Sequence, residues 1–425
     1  MQQEEAQEMS QDAPRHDLEN TACCVVGGGP AGAMLALLLA RQSVPVTLLE
    51  THLDFEREFR GDTLHPGVME ILDAIGLAES LLTLRHTKVR QVDVQSPAGP
   101  VKVNLGDGFA RLKTKFPYIT VMAQSQFLTF ITKEAARYPD FHLVMGAQAD
   151  ALIKEDGVVR GVRYRTPQGE HDLRASLVVA ADGRFSRLRK LAGGEPVKTS
   201  PPIDVLWFRL SRREGDSLDA LDARTGHGLF VIIIDRFDYW QVGCVIPKGQ
   251  YQAIREAGME QFHHTFAQAV PELADRIGEL SEWKQVSVLS VESNRLKQWY
   301  APGLLFIGDA AHVMSPVGGV GINYAIFDAV VASNVLGPKL RAGLPIEARA
   351  LAEVQHQREL PTRAIQLFQT LAQNVVMRRL KNATATAPVA PPRILNLLFR
   401  SSWFLALPAW FIGFGLCTPR IKDNS

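Results

Sequence analysis

The strongest constraint on this chain is the stretch Gly27-Gly28-Gly29-Pro30-Ala31-Gly32, set between two apolar runs. Ala22 to Val26 reads as a buried parallel strand, Pro30 to Arg41 as a helix and Val44 to Glu50 as a second strand, together a beta-alpha-beta unit. In the spacing Gly27-x-Gly29-x-x-Gly32, the glycines permit a tight turn, let backbone approach a pyrophosphate and let helix and strand pack closely. The helix N-terminus adds unpaired N–H groups and partial positive charge. Glu50 closes the second strand about twenty residues on, where a carboxylate binds the hydroxyls of an adenosine ribose. Together these features predict dinucleotide binding over a glycine-rich turn without ligand. An acidic residue suits a free 2'-hydroxyl, hence FAD or NAD better than NADP, and leaves the choice between those two to the rest of the chain.

With 425 residues the chain exceeds what one core usually serves, so two packed domains or one domain with an insertion are expected. Gly67 to Leu84 and Ser125 to Tyr138 read as helices, and Phe141 to Val144, Ala151 to Ile153 and Leu177 to Ala181 as strands. From Ile203 the texture changes to long beta runs, Val205 to Leu210, Leu229 to Ile234 and Tyr239 to Ile246, the last two joined by a hairpin turn at Asp235-Arg236-Phe237-Asp238. After a helix near Met259 to Val270 and a strand near Val286 to Val291, Leu304 to Ile307 resumes parallel-strand character, and the chain beyond Ala325 is mostly helical through Lys381. Lys and Arg number 46 against 45 Asp and Glu, a formal net charge of +1 that predicts no nucleic-acid partner. The cysteines Cys23, Cys24, Cys244 and Cys417 have neither disulfide nor zinc spacing, which fits a reducing, cytoplasmic compartment. Residues 1–20 read as a disordered leader. The uncharged segment Ser401 to Pro419 reads as a terminal cap on the core, with peripheral membrane contact as the alternative.

Two further motifs narrow the cofactor. Asp182-Gly183-Arg184-Phe185-Ser186-Arg187-Leu188-Arg189 follows one strand, and Gly308-Asp309-Ala310-Ala311-His312, continuing through Ser315-Pro316-x-Gly318-Gly319-x-Gly321-Ile322-Asn323, follows another. With the glycine fingerprint, in this order, they resemble the aromatic-hydroxylase class of flavoprotein monooxygenases, of which para-hydroxybenzoate hydroxylase is the best-known shape. The resemblance extends from about Cys23 to Arg341.

It implies an α/β fold: a Rossmann-type FAD-binding domain with an inserted, mainly β-sheet substrate domain and a C-terminal helical segment. The division it suggests is FAD-binding domain over 21–88, 119–196 and 296–345, substrate domain over 89–118 and 197–295, and C-terminal helical region over 346–425. In the implied site, Gly27, Gly29, Gly32 and Glu50 hold the ADP half of FAD, and Asp182 and Gly183 take part in FAD and NAD(P)H handling. Asp309, at a strand end, is placed to accept hydrogen bonds from the ribityl hydroxyls. Gly318, Gly319, Gly321, Ile322 and Asn323 open a helix whose N–H groups face the flavin pyrimidine edge, where a reduced flavin carries negative charge. Pro316 lies beside the ring face where dioxygen reacts, and Arg60 and Gln124 are further FAD contacts. His312 is implied to be a structural neighbour rather than an acid or base.

The implied reaction is hydride delivery from NAD(P)H to FAD, addition of dioxygen, and transfer of one oxygen from the flavin hydroperoxide to an aromatic or bulky hydrophobic substrate. The substrate is expected between the flavin and the sheet bearing Trp207, Phe208, Phe230, Tyr239 and Trp240, with Tyr118, His227 and Tyr239 as available bases. Other readings on the same scaffold are a reductase and a halogenase. The halogenase signature Trp-x-Trp-x-Ile-Pro is not matched by Trp240 through Pro247. A redox-inactive FAD- or ligand-binding protein is the reading from another class.

Overall fold

The computed structural model describes residues 20–56, 63–95, 101–199, 201–216, 218, 220–382 and 409–422. Arg60, the leader through residue 19 and residues 401–408 of the terminal apolar segment lie outside the described residues. The first sheet has eight strands, and its spine runs Tyr300–Ala301, Leu304–Phe306, Gly169–Ala180, Asn20–Val26, Val46–Glu50, Phe141–Met145. From Leu304–Phe306 to Phe141–Met145 the neighbours are parallel. Their register brings Val26 level with both Ala180 and Leu49, and Ala180 level with Phe306. The segments that follow these strands, beginning at Gly27, Thr51, Ala181 and Ile307, therefore leave the sheet along one carboxyl edge, where open α/β sheets bind ligands.

Burial on both faces explains the apolar character of these strands. The helix Pro30–Ala40 is apolar all round and buried from Ala31 onward, against the sheet and the long helix Gly321–Arg341. The stretch Val317–Arg341 is long and apolar enough to cross a membrane, but 78% of its apolar window is buried, as befits a core helix. The expected single helix Gly67 to Leu84 is two, Pro66–Ala74 and Ala78–Leu81. Gly76, at φ 76°, turns the chain between them into the left-handed region that a helix cannot continue.

The second large sheet has seven strands in the order Ser287–Ser290, Ile203–Ser211, Tyr239–Pro247, Leu229–Asp235, Leu221–Gly226, Gln91–Gln95, Val101–Asn104. Leu221–Gly226 has no apolar run to announce it. Its Asp222 and Arg224 are buried but paired, at 2.7 Å to each other and with Glu272 at 3.0 Å from Arg224, so polar residues occupy a core face.

The two faces of this sheet differ. Leu206, Phe208, Val231, Ile233, Trp240 and Val242 pack under the helix Met259–Ala269 and the turns after it. Val205, Trp207 and Val245 form a separate cluster with Met377, bordered by Phe230, Ile234 and Val317. That second face looks toward the segment after Pro316 and toward the helix Ala348–Asn382. The terminal residues 409–422 dock on the first domain, where the Ile412 carbonyl oxygen lies 2.8 Å from His65 Nδ1.

Candidate active site

At the first strand–helix turn, Gly27 has φ 106°, and a Cβ there would stand 2.5 Å from the Ala181 carbonyl oxygen. A Cβ on Gly32 would stand 2.0 Å from the Gly27 carbonyl oxygen. These two positions exclude side chains because the turn, helix and neighbouring strand touch. Gly29 is different, since a Cβ there meets nothing within 4 Å. It is the N-cap of Pro30–Ala40 and no side chain caps this helix, so open space lies in front of the helix's unpaired N–H groups. Glu50 is 6% exposed and held in place, Oε2 accepting from Gly28 N at 2.8 Å and Oε1 from His52 N at 2.9 Å. A tight glycine turn, an open helix end and an oriented carboxylate fit the diphosphate and ribose of FAD.

Asp182 turns its carboxylate onto its own chain. Oδ1 accepts from Ser186 Oγ at 2.5 Å, and Oδ2 from the backbone of Arg187 and Leu188 at 2.7 and 3.0 Å. It fixes the loop through Gly183 and caps the helix Arg187–Leu191, with Ser186 accepting from Arg189 N at 3.0 Å. This aims Arg189 inward. Its guanidinium donates to the carbonyl oxygens of Ala310 at 2.9 Å, Asp309 at 3.3 Å and Arg184 at 2.6 Å. Burial draws the Arg189 pKa down, opposed by the charges of Asp182 and Asp309. Arg189 thus ties the second motif to the third, a structural role that its place as the last residue of the second motif did not indicate.

Behind the third motif is a buried ionic group. Asp328 Oδ2 accepts from Gly308 N at 3.0 Å and lies 2.6 Å from His312 Nε2, while Oδ1 accepts from Arg358 Nε at 2.8 Å. The side chains of Asp328, His312 and Arg358 are at most 1% exposed. Burial resists ionisation of Asp328, but His312 and Arg358 outweigh it and hold the carboxyl below the usual carboxylate range. His312 therefore sits behind the motif as a buttress. Asp328 and Arg358 are the residues missed here, because a lone Asp in one helix and a lone Arg in another look unrelated along the chain.

Past Pro316, which is exposed, Gly318 and Gly319 lead into the helix beginning at Gly321. Asn323 is buried in the first turn of this helix. Its Nδ2 donates to the carbonyl oxygens of Thr63 at 3.0 Å and Gly319 at 3.1 Å, and its Oδ1 accepts from His65 N at 2.8 Å. Asn323 clips the segment after residue 62 onto the helix start. Ile322 is 6% exposed beside it, and Gln124 is half-buried at the head of the helix Gln124–Ala135.

Strand alternation sorts the aromatic residues of the sheet. Phe208 faces Phe262 and Phe266, with ring centroids 5.9 and 5.6 Å apart, and Trp240 donates to Asp216 at 2.6 Å on that same covered face. Those two are core. Trp207 and Phe230 belong to the other face, with Val317 and Met377. Trp207 lies across Gly243, where a Cβ would come within 2.7 Å of the indole. Among the suggested bases, Tyr239 lies under the Arg209 guanidinium at 4.8 Å, Tyr118 is 6% exposed and His227 is exposed in a hairpin turn.

A protein-family profile described as an FAD binding domain matches residues 20–345. The chain is 33% identical over 379 residues to 6-methylpretetramide 4-monooxygenase of Streptomyces rimosus, covering 89% of each chain. It is 27% identical over 394 residues to rifampicin monooxygenase of Streptomyces venezuelae, covering 87% of this chain and 74% of that one. Among solved structures, p-nitrophenol 4-monooxygenase PnpA of Pseudomonas putida shares the fold with a TM-score of 0.74 at 18% identity, covering 92% of this chain and 97% of that one. Three separated motifs joined along one sheet edge, beside a β-sheet with an apolar face, and a match across most of the chain place this protein in the FAD-dependent aromatic-hydroxylase family of monooxygenases.

Proposed function

We propose that this monooxygenase uses NAD(P)H and dioxygen to hydroxylate an aromatic or bulky hydrophobic small molecule. The observation that carries the proposal is the apolar face of the seven-stranded sheet, with Trp207, Phe230 and Val245 turned toward Val317, next to Pro316. The name of the relative from Streptomyces rimosus supports an aromatic substrate. When bound, FAD supplies hydride acceptance and dioxygen activation.

In this reading Gly27, Gly29, Gly32 and Glu50 bind its ADP half, and Asp182, Gly183 and Asp309 shape the edge along which the ribityl chain runs. Gly318, Gly319, Gly321, Ile322 and Asn323 form the ring end, Asn323 by fixing backbone, while Pro316 borders the reacting face and Gln124 and Arg60 complete the cradle. The substrate chamber of this reading lies between that apolar face and the Pro316 segment, and its wall excludes water and orients the ring to be hydroxylated. The FAD-binding domain takes 21–88, 119–196 and 296–345, and the substrate domain 89–118 and 197–295. Peripheral membrane contact, in this reading, is made through the terminal apolar segment Ser401 to Pro419.

The test is the visible spectrum of the purified protein, followed by NADH and NADPH oxidation under air with and without phenols and quinols. Yellow protein, ligand-stimulated oxidation and product heavier by one oxygen support the reading. Yellow protein that oxidises neither nicotinamide with any ligand overturns it in favour of a redox-inactive binder.

A further inference from the structure

The long helix Ala348–Asn382 turns a row of glutamines inward, and none of the three motifs accounts for them. Gln366, Gln369 and Gln373 are 5%, 2% and 2% exposed, and their spacing of three and four residues puts them on one helix face. A buried primary amide is costly unless hydrogen-bonded, so these side chains are placed for their partners rather than for packing. Most of the partners belong to one segment, residues 313–317, and the others to the neighbouring strand Ser293–Leu296. Gln369 Nε2 donates to the carbonyl oxygens of Ser315 at 2.7 Å and Val317 at 2.9 Å, and its Oε1 accepts from Ser315 N at 3.3 Å. It grips the residues on either side of Pro316. Gln366 Nε2 donates to Val313 O at 3.1 Å and Asn294 O at 3.0 Å, and Gln373 donates to Ser315 Oγ. Pro316 has no N–H of its own to anchor this stretch.

One turn beyond Gln373 on the same face, Met377 joins the apolar cluster of Val205, Trp207 and Val245, which Val317 also borders. The helix therefore touches both the Pro316 segment and the apolar sheet face that the functional reading makes the chamber wall.

We propose that Gln366, Gln369 and Gln373 are positioning residues that hold the Pro316 segment in place and, through Met377, couple it to occupation of the chamber. This rests on the reading that Pro316 borders the flavin. Removing the clamp lets the segment shift, so that NAD(P)H reduces dioxygen to hydrogen peroxide instead of one oxygen atom entering product and the other leaving as water.

The test uses FAD-loaded Gln369→Met and Gln373→Met, which keep similar bulk and lose the amide. Gln355→Met is the control on the same helix, since Gln355 bonds Trp299 N at 2.9 Å and Lys297 O at 2.8 Å, away from the segment. Visible circular dichroism of the bound flavin, without ligand, is expected to change in both clamp variants and not in the control. With beta-naphthol as probe, peroxide formed per NAD(P)H consumed is expected to rise several-fold in the clamp variants only. Should Gln369→Met fail to fold, Ser315→Ala removes the acceptor of Gln373 from the opposite side and is expected to give the same dichroism change. Unchanged dichroism in the folded clamp variants, or an equal change in Gln355→Met, overturns the proposal. If the wild-type protein consumes no NAD(P)H, the functional reading fails while the dichroism still decides the clamp.

Discussion

Arg189 donates through Nη1 to the carbonyl oxygen of Ala310 at 2.9 Å across a sequence separation of 121 residues. The Asp-Gly-x-x-Ser-x-x-Arg motif thus reaches the Gly-Asp motif through a cation, and the two strand ends that carry them are locked in register. Hydrogen bonds to a charged group each contribute about 1.5–3 kcal/mol. Arg189→Met is expected to lower stability by about 2–3 kcal/mol and to weaken FAD retention. Arg189→Lys is expected to restore little, since an ammonium lacks the planar fork that reaches Ala310 and Arg184 together. Denaturant melts and flavin absorbance per polypeptide would measure both, and wild-type values for Arg189→Met would refute the tie.

Gly27 and Gly29 make opposite predictions from one motif. Gly27→Ala meets the Ala181 carbonyl oxygen at 2.5 Å at a φ that alanine resists, so the fold itself is expected to suffer. Gly29→Ala meets no protein atom within 4 Å and has φ −70°, so folding should cost no more than about 1 kcal/mol, the difference between glycine and alanine at an N-cap. Its methyl group enters the space in front of the helix. Near-wild-type melting of the apoprotein with reduced FAD affinity is the expected pair of results, and undiminished affinity would remove Gly29 from the phosphate site.

The Asp328 group makes stability depend on pH with a definite sign. A carboxyl whose folded pKa lies below its unfolded value, about 3.9, stabilises the fold above that value and stops doing so as pH falls through the folded pKa. The contribution is therefore full at neutral pH and is lost only below about pH 4. Asp328→Asn leaves Arg358 buried without its charge partner and is expected to cost about 3–5 kcal/mol at neutral pH. The acid limb of the stability profile should also become shallower than wild type, and a parallel profile would refute the assignment.

Substitutions on the two faces of the seven-stranded sheet should separate binding from stability. Gly243→Ala pushes into the Trp207 indole, with a stability cost of about 1–3 kcal/mol from overpacking. It displaces part of the chamber wall, so KM for an aromatic substrate should rise. Phe208→Ala on the covered face should cost more, about 3–5 kcal/mol, with KM unchanged. Steady-state kinetics beside denaturant melts would show the split, and a larger KM change in Phe208→Ala would reverse the assignment of the faces.

Much of the first domain was legible because its signals are local. An apolar strand, a glycine turn and a helix occupy consecutive residues, and their chemistry admits few alternatives. Helix ends and polar strands were harder. Gly76 interrupts an apolar pattern that by periodicity alone continues to Leu84, and Leu221–Gly226 conceals its place in the sheet because Asp222 and Arg224 neutralise each other inside it. Alternation in the strands of the seven-stranded sheet was readable, but which alternate set lies under the helix Met259–Ala269 and which turns toward Val317 depends on what packs against each face.

The amino-acid sequence by itself determined the βαβ entry, the three cofactor motifs and their order, and therefore the class of cofactor. Each rests on residues near one another in the chain, whose turns, caps and apolar periods act over a few residues. Only the tertiary structure decided that Arg189 reaches Ala310, that Asp328 gathers His312 and Arg358, that Asn323 turns to backbone, and that Gln369 brackets Pro316. These are pairings of buried polar groups between distant segments. Their partners are chosen by which strands and helices lie side by side after folding, and no local spacing encodes that choice.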